Sequence, residues 1–397
     1  MREELHLFII WENARVKEKE ILEDISKKFE IMAQYEIKWS TKKFISNISR
    51  FYGTKLVNKE EKEQYIGNGP FLLVILKDKK PKYEMRKTNA GMRSVNINVF
   101  DAKTIYRGLT AGGHLVHGTE SEIETNHDLT LLLGKNVEDF LKQHKKSNDM
   151  IKLEQDLLGT NGFESIEQLF YLLNNTSKYL ILRNYEQMPE DIYMNEHNDI
   201  DILCENPVDF ISLINGEKVF DQYYRVHYKT NVNNQDVYFD VRFLGDDYYC
   251  FSLEQELLKK RIWNKKGFYT IDKDNYFYTL LYHAYLHKSE FSDDYVNRLT
   301  KMNKSFKREK ADEILEKWLI KNNYIITKPI DRSVLFNQDN RKNMLSSLYY
   351  ENPNYEVFES IVEEFDDLNK RQEEILNSKG WGTIKFIRRV NDKLRRR

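Results

Sequence analysis

Hydrophobic and polar positions alternate in short blocks through the first 140 residues, and each block reads as one element. The apolar run Leu5 to Ile10 predicts a strand, and the helical spacing of Val16 to Phe29 predicts an amphipathic helix. Gly69-Pro70 introduces Phe71 to Leu76, whose unbroken apolar run predicts a strand buried on both faces. Asn136 to Lys146 reads as a helix that becomes strongly charged, and Lys145-Lys146-Ser147-Asn148 reads as a linker. A second unit opens with a helix-like Ile166 to Leu173 and continues into strand-like Tyr179 to Leu182, Asp199 to Cys204 and Gln235 to Phe243. From about Ser252 onward the chain turns helical and rich in lysine and glutamate. No internal repeat and no low-complexity tract interrupts this order. The pattern predicts an α+β protein in three parts, residues 1–145, 151–275 and 276–397.

Composition narrows the function classes. Length supports more than one core at 397 residues, and 40% hydrophobic residues supply the material to fill them. Basic and acidic residues balance at 62 against 63, so no global basicity advertises nucleic-acid binding. The two cysteines, Cys204 and Cys250, form no C-x-x-C pair, which argues against a disulfide scaffold or a cysteine-rich zinc site. The first residues lack a signal-peptide pattern, and no apolar run reaches the ~18 residues of a membrane span. The expectation is a cytoplasmic protein.

Four segments carry candidate chemistry. The first is Gly112-Gly113-His114-Leu115-Val116-His117-Gly118-Thr119-Glu120. Glycines let backbone approach a bound anion closely, and a histidine beside it can accept a phosphoryl group if a partner orients its other ring nitrogen. The second is Asp199-Ile200-Asp201-Ile202, which on a strand turns both carboxylates to one face and both isoleucines to the other. Asp240, in the alternating run Val237 to Phe243, supplies a third acid. Three such carboxylates suit Mg²⁺, the ion of nucleotidyl and phosphoryl transfer. The third is the tail Gly380 to Arg397, where Ile384, Ile387 and Leu394 keep helical spacing among lysines and arginines behind Trp381. A basic amphipathic helix of this kind can lie on an anionic membrane surface, here the inner face of the membrane. On the helix-like stretch around residue 285, His283 and His287 share a face, and Lys288 beside them is a candidate phosphate or substrate contact.

From Leu5 to about Gly134 the chain resembles the nucleoside diphosphate kinases. The resemblance rests on the order of elements, on Gly69-Pro70, Thr88-Asn89, Arg107-Gly108 and His117-Gly118, and on Asp128. Asp128 stands eleven residues past His117, the offset of the family's ring-orienting glutamate. It implies a ferredoxin-like domain in which His117 carries the phosphoryl group, Asp128 orients its ring, and Arg86, Thr88 and Arg107 contact ATP or another NTP. The family ends its first strand in Lys-Pro-Asp, whose lysine touches the transferred phosphate. Trp11-Glu12-Asn13 stands there instead, removing a cation and adding an anion. The family's homo-oligomeric assembly is implied as well, with a fused second domain working against it.

The stretch Tyr179 to Leu203 is similar to polymerase-β-like nucleotidyltransferases of bacterial surface-polysaccharide loci. Leu182-Arg183-Asn184-Tyr185-Glu186 replaces the usual Gly-Ser turn, and Asp199-Ile200-Asp201 follows. This implies Asp199, Asp201 and Asp240 as catalytic metal ligands, Arg183 and Lys288 as nucleotide contacts, and a small-molecule or glycan acceptor. The combined expectation is a Mg²⁺-dependent nucleotidyl- or phospho-transferase. A stress or defence nucleotidyltransferase that modifies RNA or protein, and a catalytically degenerate scaffold, remain as alternatives.

Overall fold

The computed structural model describes residues 3–53, 59–88, 91–110, 113–143, 149–186, 188–189, 199–222, 225–350 and 352–353, with 364, 367–368, 370–372, 374–376, 378 and 380. The basic tail read as a membrane contact, the linker at 145–148 and the Asn89 and Gly112 positions lie outside the described residues.

The protein is α+β, as the alternating blocks predict. Its first sheet is built from β1 (Glu4–Ile10), β2 (Glu30–Lys38) and β3 (Phe71–Asp78), with α1 (Glu18–Lys28), α2 (Phe44–Tyr52) and α3 (Lys59–Ile66) between them. A two-stranded ribbon, β4 (Tyr83–Thr88) and β5 (Gly91–Asn96), leads into α4 (Ile97–Leu109), and β6 (Val116–Gly118) follows. The helices α5 (Glu122–Leu133) and α6 (Val137–Gln143) precede β7 (Met150–Glu154). Strand order is β6-β1-β3-β2-β7, antiparallel except where β7 joins β2 in parallel. Phe71 to Leu76 is wholly buried, which is why β3 carries no alternation. The amphipathic stretch predicted from Val16 begins as a short 3₁₀ turn and becomes α1 at Glu18, with Ile21 and Ile25 turned inward.

After α7 (Ile166–Thr176), a second sheet begins with β8 (Tyr179–Ile181) and β9 (Ile200–Cys204). It continues through α8 (Pro207–Leu213), β10 (Glu217–Lys218), β11 (His227–Val232) and β12 (Gln235–Phe243). The helix α9 (Phe251–Lys260), the edge strand β13 (Ile262–Asn264) and β14 (Phe268–Thr270), which lies between β13 and β8, complete it. The order is β10-β11-β12-β9-β8-β14-β13, and the central pair β9–β12 is parallel. Asn206 starts α8 by accepting the Val208 and Asp209 N–H groups, with Pro207 in the first turn where its missing N–H costs nothing.

Contacts divide the chain into two compact units. Residues 1–219, 227–243 and 257–272 form one, and 220–226, 244–256 and 273–397 form the other. The two sheets share the first unit because their apolar faces merge into one core, from Leu7 and Val74 to Ile202 and Val241. The second unit contains α10 (Lys273–Leu286), α11 (Asp293–Met302), α12 (Ala311–Asn322) and α13 (Gln338–Lys342). No helix among the described residues is long and apolar enough to cross a membrane.

The second unit buries an acid pair. Glu254 is fully buried and accepts the Gly245 N–H at 2.7 Å and the Tyr249 N–H at 3.2 Å, with Asp246 beside it. Burial, then repulsion from Asp246, pushes the Glu254 carboxyl far above its ordinary 4.5. The folded state therefore keeps a proton that the unfolded chain releases. This contribution is complete below about pH 4.5 and is lost as pH rises toward the raised value. Glu254→Gln is expected to flatten that fall. Denaturant midpoints at pH 5 and pH 8 check it, and an unchanged difference between them refutes the assignment.

Candidate functional site

His117 lies on β6, opposite Ile9 of β1. Asp128 reaches it from α5, whose start is set by local sequence. Ser121 accepts the Glu124 N–H at 3.2 Å, and Glu124 reaches back to the Glu120 N–H at 2.8 Å. The short path from strand to helix brings the His117 Nε2 to 2.7 Å from Asp128 Oδ2. His127 Nδ1 meets the other carboxylate oxygen at 2.9 Å. Burial acts to raise the Asp128 carboxyl, but the His117 and His127 rings overcome it and hold it at about 2. Asp128 is thus ionised at neutral pH and accepts the Nε2–H of His117. That tautomer leaves the lone pair on His117 Nδ1, which has no hydrogen-bond partner among the described residues. Phe51 and Tyr52 set their ring edges against the imidazole at 5.4 and 5.9 Å and limit its rotation.

Two cations face this turn. Arg107, in the last turn of α4, donates its Nε–H to the Val116 carbonyl at 2.9 Å. Lys62, on α3, donates to the His114 carbonyl at 3.1 Å and lies 4.9 Å from the Tyr52 ring centre. Burial, then repulsion from Arg107, pushes the Lys62 ammonium down to about 8. Neither cation is ion-paired with a carboxylate among the described residues. Lys103 nearby differs, because Glu120 neutralises it. Two partly buried cations that repel one another, each bonded to a backbone carbonyl of the turn that leads into His117, form a setting suited to a phosphate.

The Trp11-Glu12-Asn13 departure takes on a different meaning in three dimensions. Glu12 does not face a phosphate. Its carboxylate accepts the Gly69 N–H at 2.7 Å and occupies the space where side chains at Gly67 and Gly69 would sit, with ideal Cβ atoms meeting its oxygens at 2.3 and 2.2 Å. Asn13 donates to the Tyr65 carbonyl at 2.9 Å and so helps seat α3, which brings in Lys62. Tyr65 packs over Gly113, at φ +73°, where a Cβ would overlap its hydroxyl. Neither Lys62 nor His127 was among the candidates from sequence. Lys62 sits in a charged run that marks only a solvated helix, whereas His127 carries a weak local signal as a second histidine beside the acid.

Arg86 and Thr88 belong to the β4–β5 ribbon, where Arg86 pairs with Glu84 at 2.6 Å and Thr88 donates to the Gly91 carbonyl at 2.9 Å. Lys288 is exposed at the end of α10 in the second unit. His283 and His287 are buried there: His283 lies between the Tyr248 and Tyr295 hydroxyls at 2.6 and 3.2 Å, and His287 packs on Tyr248.

The carboxylates of the second sheet meet as the period-two pattern requires, for Asp201 and Asp240 stand directly opposite on the parallel strands β9 and β12. Their company is basic. Arg183 pairs with Asp201, Arg242 pairs with Asp240 at 2.9 Å, and His227 stands 3.6 Å from Asp199. Burial pushes the Asp201 carboxyl up, with Arg183 opposing and Asp240 and Asp199 adding repulsion. Asp240 Oδ1 is buried and accepts no hydrogen bond among the described residues. Yet no group of three or more histidine, cysteine or acidic residues among the described residues is placed to hold a metal ion. Arg183 and Arg242 thus already pair with two of the three acids expected to hold Mg²⁺.

A comparison with protein-family models finds no match, and neither does a comparison with curated protein sequences.

Proposed function

We propose that this chain is a phosphotransferase that takes the γ-phosphoryl group of a nucleoside triphosphate onto His117 Nδ1. The observation that carries the reading is the His117 ring, held through Nε2 by an ionised Asp128, on a turn whose His114 and Val116 carbonyls accept from Lys62 and Arg107. In the first step the Nδ1 lone pair attacks the γ-phosphorus, the bond to the β-phosphate oxygen breaks, and the nucleoside diphosphate leaves. Asp128 stabilises the positive charge that develops on the ring, and Lys62 and Arg107 stabilise the negative charge spread over the phosphoryl oxygens. In the second step an acceptor oxygen attacks the phosphorus and the N–P bond returns its electron pair to Nδ1. The antiparallel order β6-β1-β3-β2, with α1 and α4 as the crossovers, supports a ferredoxin-like reading of this region and hence the resemblance to nucleoside diphosphate kinases.

A second reading, nucleotidyl transfer at the other sheet, is favoured by the Asp201–Asp240 register and by the bare Asp240 Oδ1. Its acceptor would be a small molecule or glycan. Two of its acids, Asp201 and Asp240, are paired with Arg183 and Arg242.

The two readings separate in one experiment. Wild type, His117→Ala and Asp199→Asn are incubated with NTP·Mg²⁺ labelled at the γ or the α position. The expected result is an acid-labile γ-label on protein that vanishes in His117→Ala and persists in Asp199→Asn. A label of equal size in His117→Ala, or none in wild type, refutes phosphoryl transfer by His117. Release of pyrophosphate that requires Asp199 supports the second reading.

A further inference from the structure

We propose that His127 is a positioning residue for His117, acting through the second oxygen of Asp128. The inference rests on the phosphohistidine reading above and adds a residue to it. Asp128 is shorter by one methylene than a glutamate in the same place, and it is almost wholly buried. A buried carboxylate bound through one oxygen alone leaves the other without a donor and is free to turn about its last bond. His127 closes that freedom: Nδ1 lies 2.9 Å from Oδ1 while His117 Nε2 lies 2.7 Å from Oδ2. Both oxygens of one acid are thereby held by imidazoles from two elements, β6 and α5.

The contact is not imposed by the helix. Side chains one residue apart on an α-helix diverge and do not face each other, so His127 must turn back toward its neighbour to make it. His127 is the more exposed of the two histidines, its side chain 26% accessible against 13% for His117. Donation from Nδ1 directs its Nε2 away from the acid. With the carboxylate plane fixed, the His117 ring keeps one tautomer and one orientation, and Nδ1 stays in line with the incoming phosphorus. During transfer the same fixed carboxylate faces the ring at the moment it becomes positive, with no reorganisation needed.

The test compares wild type, His127→Ala and His127→Asn, the last placing an amide N–H where Nδ1–H stood. With γ-labelled ATP·Mg²⁺, His127→Ala is expected to slow labelling of His117 about tenfold with the ATP concentration for half-maximal rate unchanged, and His127→Asn to recover most of the rate. Imidazole ¹⁵N spectra supply a readout that needs no turnover. Wild type and His127→Asn are expected to show His117 as the single Nε2–H tautomer, and His127→Ala a mixture. A wild-type rate and a single tautomer in His127→Ala overturn the proposal, as does His127→Asn behaving no better than alanine at equal thermal stability. If wild type accepts no phosphoryl group, the phosphohistidine reading falls, and the tautomer spectra alone decide whether His127 positions His117.

Discussion

Replacing Lys62 with methionine is expected to lower phosphoryl transfer to His117 by about 10²–10³-fold in kcat/KM, roughly 3–4 kcal/mol of transition-state stabilisation. The side chain is chosen because methionine keeps an unbranched apolar stem of similar length over Tyr52 and removes only the ammonium. That ammonium lies 3.1 Å from the His114 carbonyl and has no carboxylate partner among the described residues. Its charge is therefore available to a bound phosphate. The same group sets a pH limb. Burial and Arg107 lower it to about 8, so it is charged below that value and loses its proton above it. Nucleotide affinity is expected to weaken as pH rises through about 8, and Lys62→Arg to remove this limb, because a guanidinium stays protonated there. kcat and KM for ATP at pH 7 and pH 9 in the three proteins check both statements. Equal kcat/KM for wild type and Lys62→Met at pH 7 would exclude Lys62 from the site.

Lys62 also illustrates what a linear reading misses. The His117–Asp128 pair was legible because strand, turn and helix are consecutive, and eleven residues of chain leave little choice of geometry. The Asp201–Asp240 opposition was legible for a related reason, since alternation on each strand fixes the face and only the pairing of β9 with β12 remained to be found. The partners were not legible. Arg183 follows β8 and Arg242 shares β12, and nothing in their spacing says that each will neutralise an acid rather than a ligand. The replacement of Lys-Pro-Asp by Trp11-Glu12-Asn13 reads as a lost cation and an added anion, because sequence does not reveal that the turn at Gly67 to Gly69 takes up the Glu12 carboxylate. The two compact units likewise do not follow local breaks in the pattern. Local breaks in the pattern mark loops, whereas a compact unit is defined by contacts between residues more than a hundred positions apart.

One such set of contacts makes the largest stability effect. Arg50→Met is expected to destabilise the first unit by about 3–5 kcal/mol. Arg50, on α2, is buried, and its guanidinium donates to Leu158, Ser212 and Leu213 carbonyls at 2.6, 3.1 and 2.7 Å and to Thr160 Oγ1 at 2.7 Å. It has no acidic partner among the described residues, and burial lowers it to about 10, so it stays charged at neutral pH. Methionine fills the space and relieves the cost of burying a charge, but removes the guanidinium donors to the Leu158 and Leu213 carbonyls, while Ser212 keeps the Asn215 N–H and the Thr160 hydroxyl keeps Asn47 Oδ1. Those losses outweigh the relief, since each buried group without a partner costs about 1–3 kcal/mol. Lysine is not expected to rescue, for a single ammonium cannot span acceptors arranged for a planar fork. The loss corresponds to a fall of roughly 10 °C in Tm for a unit of this size. Because α2 also carries Phe51 and Tyr52, whose ring edges hold His117, the same change is expected to broaden the His117 imidazole resonances below the new Tm. A melting curve within 2 °C of wild type would show that Arg50 does not hold the two sheets in one unit.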